Sequence, residues 1–271
     1  MNVLQKIFRD NYEIIQYTFH PRATAMSFKL IKCPHRHCVF TIDEELRHFF
    51  LEDRSLLNCL FSSVRSVVLN MFYKANKSKN FVPGVVCILH TFGRPLEWNP
   101  HIHCLITEVG FSDDGFWQNI RHFNSTYLRK AFLTALLNEL ENQIGPSFKK
   151  VSARCYLEHE HGFYVYAKPN RCDPKTVTKY IGRYLGRPVI ATSRVDSYTG
   201  DLVSFHYNRH EDEKYVEETL PAMDFIKRLI RHIPEKHFKM IRYNGIYARH
   251  PAGCFQFTRT LTKVFPIKKK R

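Results

Sequence analysis

The apolar positions of this chain change period several times, and each change marks an element. Cys38-Val39-Phe40-Thr41-Ile42 is a short apolar run of strand type. From 43 to 75 residues such as Leu46, Phe50, Leu57, Leu60, Val64, Val68 and Phe72 recur at helical spacing behind Asp43 as an N-cap. A break near Asp53 divides that stretch into two expected helices. Val85-Val86-Cys87-Ile88-Leu89-His90 reads as a strand, Gly93-Arg94-Pro95-Leu96 as a turn and 101–107 as a second strand, which predicts a hairpin. A helix over 117–143 closes at Gly145-Pro146, and 151–167 reads as one or two strands around His159-Glu160-His161-Gly162. Residues 173–186 form a helix with Asp173 as N-cap, Pro174 at its first position and Gly186 at its end. Stretches 189–194 and 202–207 flank the turn Ser197-Tyr198-Thr199-Gly200-Asp201 as a second hairpin, and 218–232 suits an amphipathic basic helix. Together these elements predict an α+β fold around a central antiparallel sheet. Three regions are expected: a helical arm over 1–32, one main domain over 33–250, and a basic tail over 251–271.

Composition narrows the class. With 44% apolar and 14% aromatic residues, the 271-residue chain can bury a real core. Lys+Arg of 41 against Asp+Glu of 25 leaves a net charge of +16, which favours a polyanionic partner, nucleic acid above all. The eight cysteines form no Cys-x-x-Cys pair and several lie in apolar runs, so they read as reduced packing residues of a cytosolic protein. No apolar run approaches the ~18 residues of a membrane span, and Lys6, Arg9, Asp10 and Glu13 do not make a signal peptide.

Candidate chemistry begins at Asn99-Pro100-His101-Ile102-His103. On a strand, Ile102 enters the core while His101 and His103 share the opposite face, which makes a metal clamp. With 15 histidines the motif should arise about once by chance, and the chain holds three copies. His35-Arg36-His37 and His159-Glu160-His161 have charged middle residues that do not suit a half-buried strand. Zinc ligation by Cys33, His35, His37 and Cys38 has the wrong spacing for a knuckle. His159 and His161, with Glu158 and Glu160, read as a solvated loop before a second metal site. A third ligand beside His101 and His103 is needed; His90 is the candidate, since antiparallel pairing would return it beside His101, and a carboxylate or an amide is the alternative. Imidazoles are soft for Mg²⁺, so Mn²⁺ should serve at least as well. In the 173–186 helix Val177, Ile181 and Leu185 make the buried stripe, and Tyr180 and Tyr184, four apart, lie along its edge where both phenols reach one site.

The order of histidine pair, long helix and Lys179-Tyr180-Ile181-Gly182-Arg183-Tyr184-Leu185-Gly186-Arg187-Pro188 resembles the two-tyrosine transposases of the insertion sequence 91 family, members of the HUH endonuclease superfamily. Pro34-His35-Arg36-His37-Cys38-Val39-Phe40-Thr41-Ile42, His90-Thr91-Phe92-Gly93 and Ile241-Arg242-Tyr243-Asn244-Gly245 resemble it too, so the likeness covers roughly 30–250. It implies a palm-like, ferredoxin-related sheet flanked by helices, Tyr180 and Tyr184 as nucleophiles, and a divalent Mg²⁺ or Mn²⁺ on His101, His103 and His90. It also implies single-stranded DNA at transposon ends and target as partner, without a nucleotide cofactor, in the nucleoid of a prokaryotic cytoplasm. Lys179, Arg183, Arg187, Arg194, Lys268, Lys269 and Lys270 are the expected phosphate contacts. One departure concerns the N-terminal zinc-binding module of such transposases, where this chain runs from His20-Pro21-Arg22 straight to Ser27-Phe28-Lys29.

The residues argue for the same chemistry on their own. A phenol titrates near ~10 and needs a polarised phosphate and in-line placement to attack. A 5′-phosphotyrosine retains the energy of the phosphodiester, so rejoining needs no nucleoside triphosphate, in keeping with the lack of a Gly-x-x-x-x-Gly-Lys-Ser/Thr loop. Three readings stay open at this point: a transposase, a replication initiator or relaxase with the same chemistry, and a non-catalytic DNA-binding remnant.

Overall fold

Alternation of apolar and polar residues builds one antiparallel sheet on which everything else rests. In the computed structural model, residues 35–75, 81–112, 117–119, 123–167, 189–209 and 212–248 are described. The main sheet contains β1 (His35–Thr41), β2 (Phe81–Phe92), β3 (Trp98–Ser112), β4 (Trp117–Asn119), β5 (Val165–Ala167) and β9 (Ile241–Gly245). Their order is β5-β1-β3-β2-β9, with β4 pairing β3 beyond this path. The hairpin of β2 and β3 forms its centre, and every pair in it is antiparallel.

One face of this sheet meets the helices. Between β1 and β2 run α1 (Arg47–Glu52) and α2 (Leu57–Ala75), and α3 (Ser125–Ile144) and α4 (Lys149–Glu158) follow β4. Asp43 and Asp53 accept from the Glu45 and Ser55 amides and so start the two helical stretches on either side of the expected break. Phe40, Leu60, Val64, Leu89, Ile102 and Phe132 fill the layer between helices and sheet. Cys38, Cys104 and Cys87 stand side by side across β1, β3 and β2, each wholly buried and free. Burial pushes the Cys38 thiol up to about 12, so it packs as an apolar group. The Arg54–Ala75 helix reaches the length and mean apolarity of a membrane span, but most of it is buried within the fold as a core helix is.

A second sheet of β6 (Val195–Tyr198), β7 (Leu202–Asn208) and β8 (Tyr215–Pro221) packs on α5 (Ala222–Ile230). Leu96, from the β2–β3 turn, lies buried with Val203, Phe205 and Phe225 and holds a left-handed φ of 64°. Its carbonyl accepts from His232 Nε2 at 3.1 Å, while His232 Nδ1 faces Thr91 Oγ1 at 3.2 Å. The turn of the central hairpin is therefore clamped to the small sheet. Arg194 adds to the clamp, donating Nε to His206 O and Nη2 to Arg94 O.

Several boundaries differ from the sequence reading. Strand β1 already includes His35, three residues before the expected start at Cys38. Arg36, whose charge argued against a strand, points to the helix side, where Glu108 takes its guanidinium (Nε to Oε1, 2.9 Å) and the Phe123 ring lies 4.8 Å away. The helix expected over 117–143 starts only at Ser125 behind the N-cap Asn124, because Trp117–Asn119 pairs with β3. Residues 149–158 form a helix where strands were expected, with Phe148, Ser152 and Cys155 buried at helical spacing. The hairpin strand begins at Val195, after a 3-10 turn over Thr192–Arg194. Residues 218–221 belong to β8, which pairs with β7 and leaves only Ala222–Ile230 helical. The 1–32 arm, the 173–186 helix and the 251–271 tail lie outside the described residues.

Two stability outcomes follow from these contacts. Arg36→Ala strands the buried Glu108 carboxylate and should cost about 3 kcal/mol in chemical unfolding, whereas Arg36→Met with Glu108→Leu should recover at least half of that loss; an additive double variant would show that the two do not interact. His232 has its pKa held below 6.5, first by burial and then by the cations Arg231 and Arg54, against the opposing Leu96 carbonyl. Because the unfolded chain binds that proton more readily, stability should decline as pH falls below about 6.5. The decline should be shallower in His232→Gln, read from melting temperatures at pH 7.5 and 5.0; parallel curves would exclude His232 as a contributor.

Candidate metal centre

The face of the sheet turned away from α2 and α3 carries the imidazoles. Along β3, Ile102, Cys104 and Ile106 enter the core, so His101 and His103 share the opposite face. Along β2, Val85, Cys87 and Leu89 enter the same core, which leaves His90 opposite. Register does the rest: His90 stands directly across from His101, and Ile88 across from His103. His90, His101 and His103 each offer a nitrogen, and the three nitrogens lie within 4.8 Å of one another. Among the described residues they are the one group of three or more histidines, cysteines or carboxylates so placed.

The rings are held at different angles around a common point. His101 and His103 bring their Nε2 atoms to 3.0 Å, close to the separation of two neighbouring ligands about 2.1 Å from a shared ion. The rings of His90 and His103 are 4.3 Å apart, and His90 meets His101 edge-on at 5.5 Å. His101 Nδ1 is 2.7 Å from the Asn99 carbonyl, which can only accept, so that nitrogen carries the proton and Nε2 presents its lone pair. Burial lowers the pKa of His101, the Asn99 carbonyl opposes the shift, and Arg47 adds to it. Burial also lowers His103, followed by the mutual repulsion of His90, His101 and His37. Neutral imidazoles are the form that ligates.

Three imidazole nitrogens without a carboxylate fit a borderline transition ion better than a hard one. Asn99, on the same strand face as His101, keeps Oδ1 buried and without a hydrogen-bond partner in the described structure. It adds an oxygen donor one pleat from the imidazoles.

A fourth imidazole, unassigned by sequence reasoning, joins the group. His37 Nε2 lies 3.1 Å from His103 Nδ1, and the two rings stack at 5.3 Å with 7° between their planes. The signal was present in the alternation of β1, where Cys38 and Phe40 point inward and His35 and His37 outward; the charge of Arg36 masked it. His35 also faces outward, its Nε2 bonded to Tyr247 Oη at 2.6 Å. An apolar patch of Val86, Ile88 and Leu105 continues the face, with Ile241 and Tyr247 packed beside it.

The remaining expected residues fall elsewhere. His159 bonds Asp43 Oδ2 at 3.0 Å and packs edge-on against Phe163, which ties the end of α4 to the start of the helical layer. Arg194 lies in the clamp between the hairpin turn and the small sheet. Tyr180, Tyr184, Lys179, Arg183, Arg187, Lys268, Lys269 and Lys270 lie outside the described residues.

Comparison with known proteins bears on what this site is for. Residues 84–253 match a family model named Y2_Tnp and described as "Putative transposase". The chain is 34% identical over 249 residues to the transposase for insertion sequence element IS801 of Pseudomonas savastanoi pv. phaseolicola, covering 86% of this chain and 58% of that one. It is 27% identical over 237 residues to "Putative transposase y4qJ" of Sinorhizobium fredii, covering 80% and 59%. The chain thus spans a little under three fifths of the length of these curated relatives. No solved structure matches it.

Proposed function

Because the chain belongs to the two-tyrosine transposases of the insertion sequence 91 family, we propose that it nicks and rejoins single-stranded DNA through a tyrosine-linked intermediate in rolling-circle-type transposition. The observation that carries this reading is the convergence of His90, His101 and His103 on one face of the sheet. We assign those imidazoles to a divalent ion, Mn²⁺ in preference to Mg²⁺. When bound, that ion supplies Lewis-acid polarisation of a non-bridging phosphate oxygen. The palm-like HUH sheet is the matching fold assignment, and 33–250 its nuclease domain.

The work of the chain's own residues follows from their chemistry. Tyr180 or Tyr184 attacks phosphorus through its phenolic oxygen; the phosphorus–3′-oxygen bond breaks, leaving a 5′-phosphotyrosine and a free 3′-hydroxyl. Attack by a 3′-hydroxyl reverses the exchange and releases the phenol, with one phosphoester bond broken for each one formed. Two tyrosines four residues apart in the sequence can hold two strands in one cycle. Asn99 keeps His101 in the tautomer that leaves Nε2 available. Lys179, Arg183 and Arg187 hold the strand by its phosphates, and Lys268, Lys269 and Lys270 extend that contact; the charge of +16 supports an electrostatic mode of DNA binding.

Two outcomes test the assignment. His101→Ala should abolish cleavage in Mn²⁺ while single-stranded DNA binding persists, since phosphate contacts supply most of the affinity; parallel loss of both in gel-shift and nicking assays would mark His101 as structural. Wild type incubated with Mn²⁺ and labelled single strands from the ends of its parent element should yield a protein–oligonucleotide adduct that survives boiling in detergent. Tyr180→Phe with Tyr184→Phe removes only the two hydroxyls and should give none. An adduct in that double variant would place the nucleophile elsewhere, and no adduct from wild type on any strand offered would favour a non-catalytic DNA-binding remnant.

A further inference from the structure

The fourth imidazole has a role that the three-histidine cluster does not explain. His37 is held by a strand whose helix-facing side is fully engaged: Cys38 and Phe40 are buried in the core, and Arg36 is paired with Glu108. It is delivered to the edge of the His103 ring opposite the one that meets His101, with its Nε2 at 3.1 Å from His103 Nδ1 and its ring stacked on His103 at 5.3 Å. A residue on that side does not share the point where His90, His101 and His103 converge. Within this group of imidazoles its hydrogen-bond contact is with His103.

We infer that His37 is a positioning residue that fixes the ring and the tautomer of His103, so that His103 turns its Nε2 lone pair toward the ion. This deepens the metal reading above and rests on it. The protons can be followed atom by atom. Without an ion, His101 holds its proton on Nδ1 against the Asn99 carbonyl, so in the 3.0 Å contact between Nε2 atoms His103 is the donor. His103 Nδ1 then accepts from His37 Nε2–H. With an ion on His103 Nε2, the proton of His103 resides on Nδ1 and donates to His37 Nε2, while the His37 proton resides on its own Nδ1. Occupation of the site exchanges two tautomers and leaves the proton count of the pair unchanged. Hydrogen bonding to the far nitrogen of a ligating imidazole orients the ring and raises its basicity, and removal of such a partner weakens metal binding by about 10–100-fold.

The test uses the full chain and two metal probes. Long-range ¹⁵N–¹H NMR of the histidine rings should show His103 protonated at Nε2 without metal and at Nδ1 after addition of Zn²⁺, chosen because it is diamagnetic. In calorimetry with Mn²⁺ alone, His37→Phe keeps a stacking ring but offers no acceptor and should bind about 10–100-fold more weakly. His37→Gln offers an amide oxygen to the same proton and should bind as wild type does. Equal Mn²⁺ affinity in wild type and a folded His37→Phe, or a His103 proton that stays on Nε2 in the presence of Zn²⁺, overturns the positioning role and leaves the three-histidine metal reading standing. If wild type binds neither ion, or His101→Ala binds as well as wild type, the metal reading falls and this inference falls with it. The NMR readout needs no variant, so it decides the matter even if His37→Phe fails to fold.

Discussion

The register of the central hairpin is the constraint on which the candidate site depends. Pairing His90 with His101 sets Val85, Cys87, Leu89, Ile102 and Cys104 toward the helices and His90, His101 and His103 away from them. A slip of one residue would reverse every side chain on the slipped strand, burying an imidazole and exposing an apolar residue at each step. The apolar layer beneath α2 and α3 therefore enforces the histidine geometry without touching it. Register shifts at each end of the paired stretch, between Pro83 and Val85 and between His90 and Phe92, confine the regular ladder to the segment that carries the histidines.

The same sheet reconciles two opposite electrostatic demands. Its histidine face gathers imidazoles, and burial lowers the pKa of His101 and His103 among them, which favours the neutral form that ligates. Its helix face receives the Arg36 guanidinium, and there Glu108 balances the charge. Strand β1 thus carries a cation on one side and an imidazole on the other, one residue apart. The turn between β2 and β3 is pinned separately, through buried Leu96 and His232 against the second sheet. The strand ends that bear His90 and His101 are held both by the helix-side core and by this clamp.

For a two-tyrosine transposase this arrangement puts the candidate ion-binding residues on a rigid sheet, where small displacements are costly. The proposed nucleophiles, Tyr180 and Tyr184, lie four residues apart in the sequence and outside that sheet hairpin.

What the sequence by itself determined are the features encoded within a few residues. Alternation and the Gly93-Arg94-Pro95-Leu96 turn define the hairpin, Asp43, Asp53 and Gly145 mark helix limits, and Ile102 places His101 and His103 on one face. His90 was legible as well, because a short turn makes its partner in the ladder calculable. Where local propensity and long-range pairing compete, the pattern misleads: Trp117–Asn119 and 218–221 are strands because β3 and β7 accept them, and 149–158 is a helix because Phe148, Ser152 and Cys155 find a core. The place of His37 was decided by tertiary structure alone. Arg36 argues against a strand until Glu108, 72 residues away, supplies the opposite charge, and only then does β1 pair with β3 and set His37 against His103. A buried charge has no acceptable environment that its neighbours in sequence can reveal, since the group that neutralises it arrives through the fold.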